Sequence, residues 1–472
     1  MMHFAAILVQ WLSGLVLVYF ILLNAVYLMT SLFSFAALRK YARRMEAADV
    51  EESIAWKVAL PIGLIVPAHN EESTCVESVR ALLTLKYPDY EILVVNDGSV
   101  DQTLDRLKEA YHLVPRARFP TAEIKTAAVK GIFHSQIYPN LWVFDKENGG
   151  KADALNAGLK YCRAPLFCAI DADSLLEREA LTRIVRPFLE DAATVAAGGI
   201  IRVFNGCRVH SGVVTDIRLP KSYVARFQVL EYLRAFLAGR MGWDALNATL
   251  VISGAFGLFR RSTVVDVGGY AVDTVGEDME LVVRLHRHCR EKKIPYKVTF
   301  IPDPVAWTEC PESYRILGRQ RDRWQRGLME SLCRHQKMLF NARYGRIGLL
   351  VFPYFYFLEM MGPVIEFFGY IAFILALLLG AVSPIFIAAF LMVAFVLGIS
   401  LSILAVGLEE LSFRRYRHFV DFMQLFWIGI IENFGYRQFV NYWRIRGVFS
   451  YFRRVRGWGT MQRRGFQSRA QS

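Results

Sequence analysis

The stretch PLFCAIDADSLLE, residues 165–177, joins an uncharged, strand-like run to two closely spaced aspartates. From Ala164 to Ile170 the chain carries no charge, and Asp171 and Asp173 follow with one alanine between them. A short apolar run bounded by polar residues is typical of a buried strand. We therefore predict a strand whose end presents two carboxylates, and the preceding hundred residues indicate what kind of sheet it joins.

Strands and helices alternate before this point. Apolar runs of strand length lie at residues 60–68, 91–97 and 141–145, and apolar residues at helical spacing lie at residues 73–85, 101–111 and 151–162. Such alternation predicts an α/β fold with a mostly parallel sheet covered by helices on both faces. In sheets of this kind, ligands bind beyond the carboxyl ends of the strands.

Polar clusters follow three of these strands: PAHNEE (67–72), NDGSVD (96–101) and DADS (171–174). The remaining strand precedes KENGGKADALN (146–156), a glycine-rich turn with two lysines that favours an anionic ligand. Neither a P-loop nor a dinucleotide-binding fingerprint is present in the sequence. Paired carboxylates beside a phosphate-binding turn suit Mg²⁺ or Mn²⁺, which typically bridges carboxylates and substrate phosphates. The alternative for DADS is a solvated turn.

Two long charge-free runs predict membrane spans. The chain has 472 residues, of which 54% are hydrophobic and 14% aromatic, and no Asp, Glu, Lys or Arg occurs at residues 4–38 or 367–408. A membrane-spanning helix needs about 20 apolar residues. The first run therefore predicts an uncleaved anchor, since it lacks the basic start of a signal peptide. The second predicts two spans, near residues 364–381 and 385–408.

The basic residues predict an orientation. Clusters at residues 39–44, 414–418 and 444–456 follow the apolar segments, and the formal net charge is +13. Because Lys and Arg stay on the cytoplasmic side, we expect a multi-pass protein of a bacterial-type cytoplasmic (inner) membrane with a cytosolic middle region. Contact with anionic membrane lipid explains the charge, and we expect no nucleic-acid partner. The seven cysteines include no C-x-x-C, so we expect reduced thiols and no zinc site.

Three further motifs complete a recognisable set: VISGAFGLFRR (251–261), VGEDMEL (275–281) and QRDRWQRG (320–327). With the polar clusters, in this order, they make the chain similar to family 2 glycosyltransferases of GT-A fold over roughly residues 59–335. More narrowly, the chain resembles the membrane-integrated processive group that includes cellulose, chitin, hyaluronan and poly-N-acetylglucosamine synthases. The resemblance implies a Rossmann-like GT-A domain that uses a nucleotide diphosphate sugar, such as UDP-glucose or UDP-N-acetylglucosamine.

The resemblance also implies residue roles. Asp278 matches the catalytic base, with Glu277 beside it, and Asp173 would ligate Mg²⁺ or Mn²⁺ together with Asp171. The residues implied at the donor nucleotide are Pro67, Ala68, Asn70, Glu71, Asp97, Lys151, Asp171, Gln320 and Arg323. The residues implied at the acceptor are Ser253, Gly254 and Trp324. Asn96 stands where the family often has an acidic residue, so only Asp97 inherits the contact with uracil. Gly276 replaces the usual threonine.

These residue types suit glycosyl transfer on chemical grounds as well. A metal ion with Lys or Arg neutralises the diphosphate leaving group. A positioned carboxylate takes the proton of the attacking hydroxyl, and an indole offers a sugar an apolar face. A single base with direct displacement inverts the anomeric centre, so an α-linked donor gives a β-linkage. The alternatives are an ion pair near Arg284 for Asp278 and a core or membrane-interface position for Trp324.

We predict five regions: an anchor (1–38), a basic cytosolic linker (39–58), a GT-A domain (59–346), a membrane region (347–440) and a basic cytosolic tail (441–472). Residues 348–362 are predicted to form an interfacial helix. Residues 222–239 could lie at the membrane surface or pack under the active site, and residues 419–439 could be interfacial, re-entrant or a further span. Three functions compete: processive polysaccharide synthesis with translocation, transfer of one sugar to a lipid carrier, and an inactive transport scaffold.

Overall fold

The computed structural model describes residues 2–46, 59–210, 212–413, 415–416 and 418–455. Part of the predicted linker (47–58), two bases of the second cluster (414 and 417) and most of the predicted tail (456–472) lie outside the described residues. The chain forms two compact units. The sheet unit comprises the described parts of Arg39–Pro220 and Leu246–Cys310, and the helical unit those of Met1–Leu38, Lys221–Ala245 and Pro311–Gly459. The predicted domain 59–346 is therefore divided between the two units.

The strands, in chain order, are β1 (Ile62–Ala68), β2 (Tyr90–Asp97), β3 (Leu113–Pro115), β4 (Val129–Ser135), β5 (Leu141–Lys146), β6 (Leu166–Ile170), β7 (Leu175–Leu176), β8 (Thr194–Val203), β9 (Arg208–His210), β10 (Val213–Asp216), β11 (Phe256–Arg260) and β12 (Lys297–Thr308). Ten of them form one sheet in the order β3-β4-β5-β2-β1-β6-β11-β8-β12-β7, and β9 and β10 form a separate antiparallel pair.

The α-helices are α1 (Met2–Glu46), α2 (Cys75–Leu82), α3 (Thr103–Tyr111), α4 (Lys151–Tyr161), α5 (Ala180–Ile184), α6 (Arg186–Glu190), α7 (Tyr223–Tyr232), α8 (Met241–Ala245), α9 (Arg261–Asp266), α10 (Glu277–Lys292), α11 (Tyr314–Arg334), α12 (Gly362–Leu378), α13 (Pro384–Leu391), α14 (Leu397–Ser412), α15 (Phe419–Ile431) and α16 (Tyr436–Phe452). Wider π-helical turns occupy Leu233–Arg240, Ile347–Val351, Tyr354–Met360 and Met392–Val396, and short 3₁₀ turns occupy Gln336–Met338 and Ala342–Tyr344.

The centre of the sheet is parallel, as predicted. Strand β1 pairs in parallel with β2 on one side and with β6 on the other, and β2 pairs in parallel with β5. Strand β11 then runs antiparallel between β6 and β8. The prediction of an α/β fold with parallel strands at its centre is confirmed. Strands β2 and β5 are added on one side of β1, and β6 is added on the other side, so the strand order reverses at β1. A crevice is expected beyond the carboxyl ends of the strands at such a point.

Close packing of α4 on the sheet fixes the geometry of this crevice. Ile65, Leu93 and Val95 point toward α4 and are buried with Leu155 in one apolar cluster. A Cβ atom at Gly158 would lie 2.3 Å from a methyl group of Ile65, so only glycine permits this approach of helix to strand. The first residue of α4 is thereby held directly beyond the strand ends.

The helical unit contains the apolar segments. Among the described residues, two helices are long and apolar enough to cross a membrane, Val9–Arg43 and Pro384–Ser412. The helical segments Ile347–Met360 and Gly362–Leu378 meet at a bend of 47°. If these two segments together form one broken span, the described residues contain three candidate membrane spans. The bend lies inside the region predicted as an interfacial helix. Most side chains of α7 are buried within this unit, which favours packing over a surface position for residues 222–239.

Side chains from three helices stabilise the bend. A helix break leaves carbonyl groups without intrahelical partners, and such groups are costly away from water. At Leu358–Met360, three consecutive carbonyls each accept a hydrogen bond: from the Tyr19 hydroxyl (2.9 Å), from Arg444 Nη2 (2.6 Å) and from Gln325 Nε2 (2.9 Å). These hydrogen bonds fix the geometry of the bend.

Buried charges lie among the apolar helices of the same unit. Glu432 is fully buried, and its Oε1 accepts hydrogen bonds from Arg234 (2.5 Å), Arg437 (2.8 Å) and the hydroxyl of Ser402 (2.7 Å). Ser402 belongs to the apolar helix Pro384–Ser412. Two arginines and a glutamate are expensive to desolvate, and their pairing with one another offsets that cost.

Candidate active site

The loops after β1 and β2 are connected by hydrogen bonds. Asn70 adopts a left-handed conformation (φ 55°), which places its backbone N–H 3.0 Å from the Ser99 hydroxyl and its Oδ1 2.9 Å from the N–H of Val100. The N–H of Glu71 donates to the Thr103 hydroxyl at 2.8 Å. The sheet thus brings together two of the predicted clusters, PAHNEE and NDGSVD, at one edge.

Asp97 holds the glycine-rich turn against the end of β2. Its two carboxylate oxygens accept hydrogen bonds from the backbone N–H groups of Gly149 (3.0 Å) and Gly150 (2.8 Å). Its side chain is buried, and it also pairs with the ammonium of Lys146. In this structure the carboxylate of Asp97 therefore positions the turn, and its contact with the nucleotide base stays a prediction.

Lys146 does not face a ligand, contrary to what the glycine-rich turn suggests. Its side chain is completely buried, and its ammonium lies 2.7 Å from Asp153 Oδ1 in addition to its pair with Asp97. The Asp153 carboxylate also accepts from the N–H of Ala127, at 3.1 and 3.2 Å. Lys146 is therefore a structural cation at the centre of the turn.

Lys151, the first residue of α4, is the lysine that reaches the carboxylates. Its ammonium lies 2.5 Å from Asp171 Oδ1 and 3.6 Å from Glu277 Oε1. Burial lowers the pKa of Lys151, but the neighbouring Asp171 and Glu277 outweigh burial and leave the pKa above its ordinary value. The lysine is thus protonated at neutral pH and connects the end of β6 with the start of α10.

Asp278 is positioned by a backbone amide. Its Oδ2 accepts a hydrogen bond from the N–H of Gly254 at 2.9 Å. A Cβ atom at Gly254 would lie 3.3 Å from both this oxygen and Lys151 Nζ, which is tighter than an ordinary contact. The SGAF motif thus contributes its glycine to the orientation of Asp278. The alternative role for Asp278 was an ion pair with Arg284. In the structure, Arg284 instead pairs with Glu280, at 2.8 Å.

Glu277 is buried beside this pair at the first position of α10. Burial raises the pKa of Glu277 to about 7, with the charge of Lys151 acting in the opposite direction. Gly276 precedes it and supplies no side-chain cap. Three acidic residues in the first turn instead complement the positive end of the helix dipole.

The DADS aspartates fit a divalent cation only with help from a ligand. Asp171 is partly exposed and Asp173 is nearly buried. Within the described part of the chain, no group of three or more His, Cys, Asp or Glu side chains is arranged to hold a metal ion. A pair of carboxylates nevertheless suits Mg²⁺ or Mn²⁺ when substrate phosphates provide further oxygens. The residues present therefore fit a cation that is shared with a diphosphate.

The Q-x-x-R-W residues lie on α11, in the helical unit. Gln320 is buried, Arg323 is partly buried, and Trp324 is 42% exposed. The guanidinium of Arg321 lies over the Trp324 ring, 4.2 Å from its centroid, and forms a 2.7 Å ion pair with Glu231. One face of the indole is thus backed by a fixed cation while the ring remains accessible.

Sequence reasoning missed the supporting residues. Lys146 pairs with Asp97, Asp153 pairs with Lys146, and Arg321 lies over Trp324, yet none of the three was assigned a role. The signal for Lys146 was its position at the end of β5, where it is the register partner of Asp97 at the end of β2. For Arg321, the only signal was its place within the motif beside Trp324.

Comparison with known proteins agrees with these features. The glycosyl transferase family 2 model matches residues 64–263, and the glycosyl transferase family group 2 model matches residues 166–401, half of the chain. The probable glycosyltransferase YdaM of Bacillus subtilis is 26% identical over 386 residues, which cover 78% of this chain and 81% of that protein.

The poly-β-1,6-N-acetyl-D-glucosamine synthase of Staphylococcus aureus (strain COL) is 28% identical over 273 residues. That alignment covers 58% of this chain and 56% of the synthase, so it spans little more than half of that relative. Among solved structures, a mannosyltransferase of Pyrobaculum calidifontis in complex with GDP-Man and Mn²⁺ is 18% identical, with a TM-score of 0.49 and coverage of 88% of this chain and 99% of that one. With the sheet order, the strand-end carboxylates and the family match over half of its length, the chain belongs to the family 2 glycosyltransferases and is a glycosyltransferase enzyme of GT-A fold.

Proposed function

We propose that this enzyme is a membrane-integrated processive synthase. It transfers a sugar from a nucleotide diphosphate sugar, UDP-glucose or UDP-N-acetylglucosamine, to a growing β-linked polysaccharide with inversion at the anomeric carbon. The observation that carries the proposal is the convergence of Asp171 and Glu277 on Lys151, with Asp278 directly after Glu277 in the chain and oriented by the Gly254 amide. A fixed carboxylate beside a cationic, phosphate-compatible turn supports displacement of a diphosphate by a hydroxyl.

The proposed reaction assigns a task to Asp278, Lys151 and Asp171 of this cluster and to three predicted site residues outside it. Asp278 accepts the proton of the acceptor hydroxyl as that oxygen attacks the anomeric carbon. Lys151 attracts the diphosphate, and Asp97 keeps the turn in place by accepting hydrogen bonds from the amides of Gly149 and Gly150. Asp171 and Asp173 would hold Mg²⁺ or Mn²⁺, which supplies positive charge to the leaving diphosphate. Trp324 offers its exposed ring to the acceptor sugar.

Features of the helical unit support synthesis at a membrane. Two helices, and up to three, are long and apolar enough to span it. The basic clusters favour a cytosolic catalytic domain in a bacterial-type inner membrane with more than one span. The similarity to a poly-β-1,6-N-acetyl-D-glucosamine synthase supports a polysaccharide product.

The decisive experiment combines donor screening with product sizing. The purified protein, in lipid nanodiscs with Mg²⁺ or Mn²⁺, is incubated with a panel of nucleotide sugars, and release of nucleoside diphosphate is recorded. The preferred donor is then supplied with a labelled sugar and the product is sized. Long chains are expected. A lipid carrying one sugar would replace the proposal with single transfer, and no turnover with any donor would favour the scaffold function.

A further inference from the structure

Gln325 directly follows Trp324 on α11, and its polar side chain is buried. Its Nε2 donates a hydrogen bond to the carbonyl of Met360 at 2.9 Å, and its Oε1 accepts one from Arg444 Nε at 3.0 Å. Because a carbonyl oxygen only accepts and a guanidinium only donates, these two partners fix the orientation of the amide. Gln325 thus ties the helix of the Q-x-x-R-W motif to the bend and to α16.

Arg444 closes a ring of hydrogen bonds at the same place. It belongs to α16, and its Nη2 donates to the carbonyl of Glu359, the residue before Met360. The bend, α11 and α16 are therefore joined pairwise, each to the other two. A relative displacement of roughly 0.5 Å stretches hydrogen bonds of this length to the limit of their range. Because of this ring, a shift of the bend moves the turn of α11 that carries Gln325.

Trp324 lies on that turn. Consecutive residues of an α-helix are fixed to one another by the backbone, and their side chains point about 100° apart. Gln325 therefore points into the helical unit while the ring of Trp324 remains 42% exposed. One turn earlier, Arg321 lies over the same ring and is held by its ion pair with Glu231. The exposed indole is thus supported by buried polar contacts from the residues before and after it.

We propose that Gln325 is a positioning residue that links the bend to the Trp324 ring, so that the hold of the enzyme on its acceptor sugar depends on the geometry of the bend. This inference rests on the proposed function, which assigns the acceptor sugar to Trp324. Packing of α11 alone does not require an amide at this position, because an apolar side chain of similar length fills the space without burying polar atoms. The amide is explained by its bond to the Met360 carbonyl.

The first measurement follows the surroundings of Trp324 directly. The full-length protein is produced with 5-fluorotryptophan and placed in nanodiscs, and the fluorine resonance of Trp324 is identified by its loss in Trp324→Phe. Gln325→Met removes both hydrogen bonds of the amide at similar side-chain length. Tyr19→Phe removes only the hydroxyl that donates to the carbonyl of Leu358, which belongs to the bend and not to α11. We expect both variants to shift the Trp324 resonance, Tyr19→Phe by less.

The second measurement shows the consequence for the acceptor. A short β-linked oligosaccharide of glucose or of N-acetylglucosamine, matched to the donor, is supplied at increasing concentration. For Gln325→Met we expect the KM of this acceptor to rise about two- to tenfold, the factor typical of one lost hydrogen bond. Its kcat at saturating acceptor should stay near that of the wild type. A residue needed only for folding would reduce the amount of active enzyme and would leave the acceptor KM unchanged.

A matched control and a second variant keep the test specific. Arg319→Met changes an exposed side chain of the same helix and should leave the Trp324 resonance and the acceptor KM unchanged. Thermal melting confirms that each variant is folded. Gln325→Leu replaces the methionine variant should that one not fold, and the Tyr19→Phe spectrum decides the question should neither Gln325 variant fold.

Three results would overturn the inference. The first is an unchanged Trp324 resonance in Gln325→Met. The second is a resonance that shifts in Gln325→Met but not in Tyr19→Phe, because the effect would then be local to α11. The third is a shifted resonance with an unchanged acceptor KM. The spectra do not depend on sugar transfer, so the absence of turnover with every donor would count against the proposed function, while the link between the bend and Trp324 is still decided by the resonances.

Discussion

Replacement of Lys146 by methionine should destabilise the sheet unit more than any substitution of an exposed lysine. The Lys146 side chain is fully buried and pairs with two carboxylates, Asp97 and Asp153. Breaking a buried ion pair by removal of one partner typically costs about 3–5 kcal/mol, because a charge is left uncompensated. Asp97 keeps its bonds to two backbone amides and Asp153 keeps its bond to the Ala127 N–H, so we expect the lower end of this range.

That loss converts into a measurable melting shift. A unit of roughly this size changes its melting temperature by about 2–4 °C per kcal/mol, so Lys146→Met should melt about 6–12 °C below the wild type. The assay is thermal unfolding of the purified protein in nanodiscs, followed by intrinsic fluorescence. Lys160→Met, on the same turn–helix segment but away from the strand ends, is the matched control and should stay within about 0.5 kcal/mol of the wild type.

A double variant tests the cause of the shift. Lys146→Met combined with Asp153→Asn removes one of the two uncompensated carboxylates, so it should be more stable than the sum of the two single changes implies. Additive losses would show that the cost comes from packing rather than from unpaired charge. A melting temperature of Lys146→Met within about 1 °C of the wild type would refute the reasoning altogether.

Three more outcomes follow from the site. Burial raises the pKa of Glu277 to about 7, so the folded protein should lose stability as pH rises from about 4.5 to about 7. Melting temperatures measured across that pH range should show a smaller decrease for Glu277→Gln than for the wild type. Asp278→Asn should keep its donor affinity, measured by calorimetry, while its rate of sugar transfer falls about 10²–10⁴-fold. A transfer rate near that of the wild type would show that Asp278 is not the catalytic base. Trp324→Ala should also keep donor affinity, while its products shift from polymer to free sugar. Normal elongation by Trp324→Ala would contradict its role at the acceptor.

The sequence predicted the parallel half of the sheet well, since each of those strands is a compact apolar run ending in polar residues. The predicted strand at 141–145 is β5, and the predicted helix at 151–162 is α4, within one residue at each end. The antiparallel strands were not placed. Phe256–Arg260 lies between β6 and β8, but a short buried apolar run does not reveal its direction or its neighbours. Those are properties of tertiary packing.

Site residues were predictable as types at strand ends, whereas their partners were not. DADS and GED indicate carboxylates, but the distance between Lys151 and Asp171 depends on how closely α4 packs on β1, which Gly158 permits. The different surroundings of Lys146 and Lys151 were not predictable, because two lysines of one short turn look alike in sequence. The pleat places Lys146 on the face occupied by α4, while the start of that helix directs Lys151 toward the strand ends.

The contacts also show why a single substitution at the end of β2 is ambiguous. Asp97 binds the amides of Gly149 and Gly150, and Lys151 follows directly and binds Asp171. Loss of nucleotide affinity in Asp97→Asn therefore does not demonstrate contact with a base, because the same change releases the turn that carries Lys151. An effect through the turn weakens the binding of all nucleoside diphosphates alike, because the proposed partner of the turn is the diphosphate group that they share. An effect through the base changes the preference for uracil over other bases, so only a comparison among nucleotides separates the two roles of this residue.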